Sequence, residues 1–216
     1  MRIYLIRHGQ TPSNVNGELD TAFPGAGLTG LGEAQARALP GAFTDVALRA
    51  VYASPLLRTR LTAAPLASAV GADAVVVPGL EEISAGELEM LGDEGSRALY
   101  GQRIVSWMRG ELDSPMPGGP DGLAFLRRFD AAIEEIASRH TGDDAVAVVS
   151  HGAAIRCFTA QRTDLPKERI PGLMVMNTGG AILDGRPGSW HLEHWQTEPF
   201  GGTALEDSSA EDVTAG

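Results

Sequence analysis

Cysteine is all but missing: Cys157 is the only one in 216 residues. A single thiol excludes an internal disulfide framework and fits a reducing cytoplasm, which is the expected location. Long apolar runs are missing too. The N-terminal run Arg2-Ile3-Tyr4-Leu5-Ile6 covers about five residues, far below the ~18–20 that a membrane span needs, and no secretory signal pattern stands out. Positive charge is scarce: 17 Lys+Arg face 28 Asp+Glu, for a formal net charge of −11. Glu198, Glu206, Asp207, Glu211 and Asp212 fall after Thr197 with no base among them, so the body before them carries about −6. Such a body is a poor counterpart for nucleic acid or an anionic membrane, and neither is expected as a partner. Any anion site must be a local cationic pocket in an acidic surface. Internal repeats, low-complexity tracts and carboxylate clusters with metal-ligand spacing are absent as well.

What is present suffices for one core. A chain that is 43% hydrophobic at this length is expected to form a single domain over residues 1–196, with an acidic tail at 197–216 that reads as disordered. Arg2 to Ile6 is short, apolar and β-branched or aromatic, the pattern of a buried parallel strand. It ends at Arg7-His8-Gly9, and Pro12 cannot continue a central strand. Thr29 reads as the N-cap of a helix with Glu33 in its first turn, a buried stripe of Leu31, Ala34, Ala38 and Leu39, and Pro40-Gly41 near its end. Ala50–Ala53 is a second strand, Leu56–Val70 a helix stopped by Gly71, and Ala74–Val77 a third strand. From Pro78 to Gly122 the pattern loosens, with one clear helix over Arg97–Leu112; this is expected to be a cap-like insertion over the site. Phe125, Phe129, Ile133 and Ile136 recur at helical spacing up to His140. Ala145–Val149 is the most apolar strand, followed by Ser150-His151-Gly152 and a helix over Ala153–Gln161. Leu173–Asn177, Ala181–Asp184 and Trp190–Trp195 read as short strands. Alternating strands and helices imply an α/β fold, a three-layer α/β/α sandwich with a mostly parallel central sheet.

The chemically loaded residues follow strands, and in open parallel sheets ligands bind just past the carboxyl ends of the strands. His8 is a candidate nucleophile. Arg7 and Arg58 could hold phosphate oxygens through bidentate hydrogen bonds. His151, with Gly152 opening a helix, could add a charged hydrogen bond and backbone N–H donors. Glu81 and Glu82 are the nearest acids; in an extended segment neighbours face opposite ways, so one of them can enter a pocket. Taken singly, each residue also has an ordinary structural reading, such as a His-Gly turn after a strand. Arg60 reads as a surface residue. Arg156, one turn into its helix, reads as structural and directed away from the helix N-terminus. Cys157 reads as a buried small hydrophobe, and Trp107, Trp190 and Trp195 as packing residues. Met90, Met108 and Met116 are placed on the substrate side. His191 and His194 are three apart on a strand and so on opposite faces, which argues against a shared metal ion.

Taken together, these residues make the chain resemble the histidine phosphatase superfamily, in its phosphoglycerate-mutase-like branch. The resemblance runs in order through Arg7-His8-Gly9-Gln10-Thr11 with Asn14, Leu28-Thr29 with Gly32 and Gln35-Ala36, and Tyr52 to Thr59 with Thr62-Ala63. It continues through Leu80-Glu81-Glu82 with Gly86, Pro117-Gly118-Gly119, Val149 to Gly152 with Ile155-Arg156, and Asn177-Thr178. It implies His8 as the nucleophile that becomes phosphohistidine, and Arg7, Arg58 and His151 as the phosphate pocket. Asn14 and the Gly152 backbone are implied as further phosphate contacts, and Glu82 as general acid and later base. The family needs no metal, and no cofactor is expected. The expected partner is a small-molecule phosphate ester, and a homodimer is left open. Two departures matter. Glu82-Ile83-Ser84-Ala85-Gly86 lacks the basic and aromatic residues of true mutases, which favours a phosphatase. Pro120-Asp121 stands where many relatives have glutamate-serine, which questions how the insertion meets the helix after it. A mutase is the nearest alternative, and a non-catalytic phosphate-binding protein a more distant one.

Overall fold

Three short parallel strand ends set side by side are the feature that makes this fold useful. A computed structural model describes residues 1–207. Its strands are β1 (Arg2–Arg7), β2 (Leu48–Ala53), β3 (Val75–Val76), β4 (Ala145–Ser150), β5 (Gly180–Arg186) and β6 (Ser189–Gln196). They form one sheet in the order β3-β2-β4-β1-β5-β6. The first four in that order run parallel, while β5 and β6 are an antiparallel hairpin added beside β1.

Alternation along β1 shows why both faces must be covered. Ile3 and Leu5 join one apolar cluster, Tyr4 and Ile6 the other. The second cluster is closed by α2 (Gly30–Ala42) and α3 (Leu57–Val70). The first is closed by α4 (Glu94–Arg109), α5 (Gly122–Ser138) and α6 (Gly152–Arg162). A one-turn helix, α1 (Pro12–Asn16), lies beyond β1. The result is the expected α/β/α sandwich.

Local signals place most boundaries. Thr29 caps α2 by accepting from the Gly32 amide at 3.0 Å, and Gly71, at φ +83°, ends α3. The buried stripe of α2 differs from expectation: Gly32, Gln35, Ala36 and Leu39 face inward. The reason is long-range. A Cβ on Gly9 would lie 2.6 Å from the Gly32 carbonyl oxygen, and Gln35 Oε1 accepts from the Gln10 amide at 2.8 Å. The helix is therefore turned to meet the loop after β1.

The insertion is less of a lid than its composition suggests. Tyr100, Ile104, Trp107 and Met108 of α4, and Met116 after it, belong to the main core. Met108 and Met116 therefore do not line a substrate side; only Met90 is exposed. Gly86 sits at φ +58° with the Pro117 carbonyl oxygen 2.1 Å from where a Cβ would be, so the two ends of the insertion meet there. Pro120-Asp121 makes a sound junction: Asp121 Oδ1 accepts from the Ala124 amide at 2.7 Å and caps α5.

Two further expectations are corrected. Leu173–Asn177 is not a strand, because its polar groups go elsewhere. Val175 O accepts from Arg7 Nη1 at 2.8 Å, Asn177 Nδ2 donates to His8 O at 3.1 Å, and the Met176 amide donates to Thr197 O at 2.8 Å. Nor does the chain become disordered at 197. Phe200 packs on Phe43 with ring centroids 5.4 Å apart, Leu205 O accepts from Gln35 Nε2 at 2.9 Å, and Asp207 Oδ2 accepts from Gln10 Nε2 at 2.8 Å. Apolar burial and hydrogen bonds hold this stretch despite its acids. The rest of the expected tail, 208–216, lies outside the described residues.

Candidate active site

Strand register brings the site together. Arg7 pairs with Ser150 across β1 and β4, and Ala53 with Val149 across β2 and β4. The next residues of the three strands, His8, His151 and Ser54, are therefore neighbours at one sheet edge. The His8 amide donates to Ser150 O at 3.0 Å and the Ser54 amide to Val149 O at 3.0 Å, which prolongs the ladder to the last residue. The rings of His8 and His151 stand 5.3 Å apart at 63°.

His8 is 3% exposed. Its Nδ1 lies 2.8 Å from the Gly9 carbonyl oxygen. A carbonyl can only accept, so Nδ1 carries the proton and the Nε2 lone pair faces outward from that bond. Burial first, then the charges of Arg58 and Arg7, hold the His8 pKa well below its ordinary value. The ring is thus neutral, with a nucleophilic nitrogen. Around it, the Gly9 amide donates to Thr62 Oγ1 at 2.9 Å, and Thr11 and Asn14 close a reciprocal cap on α1. Asn14 Oδ1 accepts from the Thr11 amide at 3.0 Å and from Asn177 Nδ2 at 3.2 Å, so any phosphate contact by Asn14 falls to its own Nδ2.

Arg7 is fully buried and anchored on Val175 O. Arg58 comes from the first turn of α3 and donates through Nη2 to Asp20 O at 2.8 Å. Its Nη1 is 3.6 Å from Asp20 Oδ1, and that buried atom makes no hydrogen bond among the described residues. Burial is the leading influence that lowers the Arg58 pKa. His151 Nε2 is 2.9 Å from Ser54 Oγ, while its buried Nδ1 has no partner among the described residues. Burial, then Arg58 and His8, keep this ring well below its ordinary pKa. A buried guanidinium and a buried imidazole with unused hydrogen-bonding atoms, Arg58 Nη1 and His151 Nδ1, suit an oxyanion.

Glu82 completes the group. It is 4% exposed, and its Oε1 accepts from the Ile83 and Ala154 amides, both at 2.8 Å, while Oε2 accepts from Ala153 at 3.1 Å. The N–H groups of α6 at Ala153 and Ala154 therefore serve this carboxylate; Gly152, expected to offer its backbone to phosphate, opens the helix beside them. Burial outweighs those hydrogen bonds and raises the Glu82 pKa. Glu81 faces the other way, with Oε2 at 2.7 Å from Arg128 Nη1, as extended geometry requires. A cleft of about 740 Å³ with largely apolar walls adjoins Glu82, between Thr21, Ser84 and the α5 residues Phe125 and Arg128.

The expected residues Arg7, His8, Asn14, Arg58, Glu82, His151 and Gly152 thus converge. Sequence reasoning missed Asp20, Ser54, Thr62 and the Val175 carbonyl, which support them; of these only Ser54 and Thr62 lay within the motifs. His191, His194, Trp107, Trp190 and Cys157 fall outside the site. His191 pairs with Asp164, and His194 with Gln196. Trp107 and Trp190 are buried packing residues. Burial drives the Cys157 thiol up to about 12, so it stays protonated and inert.

The chain is similar to several known proteins. A 36% identical relative from Mycobacterium tuberculosis, PE-PGRS family protein PE_PGRS11, aligns with 98% of this chain, which spans 39% of that protein's length. The Escherichia fergusonii protein named phosphoglycerate mutase GpmB is 27% identical over 98% of both chains. Among solved structures, a mycobacterial glucosyl-3-phosphoglycerate phosphatase superposes with a TM-score of 0.77 at 25% identity, over 91% of this chain and 99% of that one. The family model of the histidine phosphatase superfamily, branch 1, matches residues 3–198. The chain is therefore a member of that superfamily.

Proposed function

We propose that this protein is a phosphomonoesterase that hydrolyses a small phosphorylated metabolite through phosphohistidine at His8, in the cytoplasm and without a metal ion. The observation that carries the reading is the His8 tautomer: Nδ1–H is tied to Gly9 O in a ring kept neutral by burial and two arginines. In the first half-reaction the Nε2 lone pair forms a bond to phosphorus. The ester P–O bond breaks, and the leaving oxygen takes a proton from Glu82, whose pKa burial raises. In the second, the Glu82 carboxylate takes a proton from water as its oxygen attacks phosphorus. The P–N bond breaks, and inorganic phosphate leaves. Arg7 and Arg58 supply positive charge to the equatorial oxygens, and His151 joins them once it takes up a proton beside the bound phosphate. Their number is the ground for expecting hydrolysis to survive EDTA.

Water is the favoured acceptor. Ser84 and Ala85 follow Glu82 where a mutase would need cations: Ser84 Oγ accepts from the Gly86 amide at 3.2 Å, and Ala85 is buried. The resemblance to the solved phosphatase supports the same choice, while the relative named as a mutase favours the alternative. Rapid quench with a ³²P-labelled ester is the test. Acid-labile, alkali-stable label that is lost in His8→Ala, together with stoichiometric phosphate release in EDTA, is expected. Label on a serine would sink the mechanism, as would full turnover in His8→Ala. Primer-dependent conversion of 3-phosphoglycerate to 2-phosphoglycerate faster than phosphate release would make the protein a mutase.

A further inference from the structure

Of the three buried arginines, two have clear anchors. Arg7 donates to Val175 O and Arg58 to Asp20 O. Arg156 is the third, at 6% exposure. Among the described residues its buried Nε has no partner, and no hydrogen bond or ion pair engages its guanidinium. The sequence suggested a structural role directed away from the α6 N-terminus, and the geometry of a helix says otherwise. Every Cα–Cβ bond tilts toward the N-terminus, so a long side chain covers the turn before its own. Arg156 stands three residues after Ala153 and two after Ala154, whose amides hold Glu82. Its side chain therefore leans back toward the end of α6 where Glu82 docks. The charges of Arg7 and Glu82 both act on it. A desolvated, unpaired guanidinium is costly, and replacing it by an apolar side chain of similar volume would relieve the fold. Packing alone gives no reason for a cation here.

We propose that Arg156 is a specificity-determining residue that binds an anionic substituent on the leaving group of the substrate. The assignment rests on the phosphomonoester reading above. Arg7 and Arg58 already serve the transferring phosphoryl group. Arg156 lies on the side of Glu82, the group that handles the leaving oxygen, so the anion it meets belongs to the leaving group. The planar fork suits a carboxylate or a second phosphate.

A matched series tests this in the full-length protein: glycerol 3-phosphate, 3-phosphoglycerate and glycerol 1,3-bisphosphate. In Arg156→Met the ratio of kcat/KM for the better anionic ester to that for glycerol 3-phosphate should fall about 10- to 100-fold, chiefly through KM, as for loss of a charged hydrogen bond. Arg156→Lys should recover part of it. Whichever anionic ester loses more identifies carboxylate or phosphate as the group bound. The Tm of Arg156→Met without ligand should equal or exceed that of the parent, whereas a structural arginine would lower it. A second arm needs no turnover. In a His8→Ala background, the extra thermal stabilisation by 3-phosphoglycerate or glycerol 1,3-bisphosphate over glycerol 3-phosphate should disappear when Arg156→Met is added. An unchanged ratio, or a lowered Tm with an unchanged ratio, overturns the assignment. If none of the esters is hydrolysed but the thermal difference still depends on Arg156, the phosphatase reading fails and the binding role stands.

Discussion

Glu82 is held by opposed influences. Three backbone amides favour its carboxylate, yet burial prevails and the pKa rises. A general acid matters in proportion to how badly the leaving oxygen needs a proton. Glu82→Gln should slow phosphorylation of His8 by alkyl phosphates by ~10²–10⁴-fold and by p-nitrophenyl phosphate much less. Dephosphorylation should stay impaired, because the same carboxylate activates water, so the burst with the aryl ester should grow. Glu81 offers the matching control one residue away. It is tied to Arg128 and to the Gly79 amide, and Glu81→Gln loses a partly exposed pair that is worth at most about 1 kcal/mol. Stopped-flow comparison of both variants with both ester classes decides between them. A leaving-group-dependent loss in Glu81→Gln instead would move the acid by one residue.

At the scale of elements, the junction into α5 shows a motif departure that the fold absorbs. Where the resemblance leads to an expectation of glutamate-serine, Asp121 caps this helix. Asp121→Ala should cost about 0.5–2 kcal/mol in urea unfolding, and Asp121→Ser far less. Equal costs for the two would mean that the aspartate acts by something other than capping. The same contrast between near and far explains what the sequence made legible. Strand ends, the Thr29 cap and the Gly71 stop depend on neighbours within a few residues, so they could be read directly, and the site residues came with them. Leu173–Asn177 has the composition of a strand, but its carbonyls and amides are drawn to Arg7, His8 and Thr197, partners far off in sequence. The buried face of α2 was set by Gly9 and Gln10, and the order of 197–207 by Phe43, Gln35 and Gln10, none of them local. The direction of Arg156 was legible in principle from helix geometry, and the tilt of the Cα–Cβ bond was the signal to use.

For the whole molecule, the site makes stability depend on pH. His8 and His151 are buried and neutral, both with pKa values well below the ordinary one. The unfolded chain protonates these rings near pH ~6.5, and the folded protein does so only at lower pH. In that window the unfolded state holds more protons, so the histidine contribution is complete above pH ~6.5 and is lost as pH falls toward the folded values. Glu82 acts in the opposite sense. Its folded pKa is raised, so its contribution is complete below the unfolded carboxyl value and is lost as pH rises through the folded one. Two histidines against one carboxyl leave the histidines in charge below neutrality. Asp93, Asp144 and Asp164 have lowered pKa values, so they act at lower pH, near and below the ordinary carboxylate range. Urea unfolding of the ligand-free protein should therefore show stability falling between pH 7 and 5.5, with a slope of up to about 1.4 kcal/mol per pH unit for each histidine. In His151→Gln the slope should drop by about half. Inorganic phosphate should flatten it in the parent, because a bound dianion beside Arg7 and Arg58 lets His151 take up a proton and donate it. A slope unchanged in His151→Gln, or a parent that gains stability on acidification, would place the linked protons outside this pocket. The neutral pair of rings would then no longer explain how the empty site stays folded around so much positive charge.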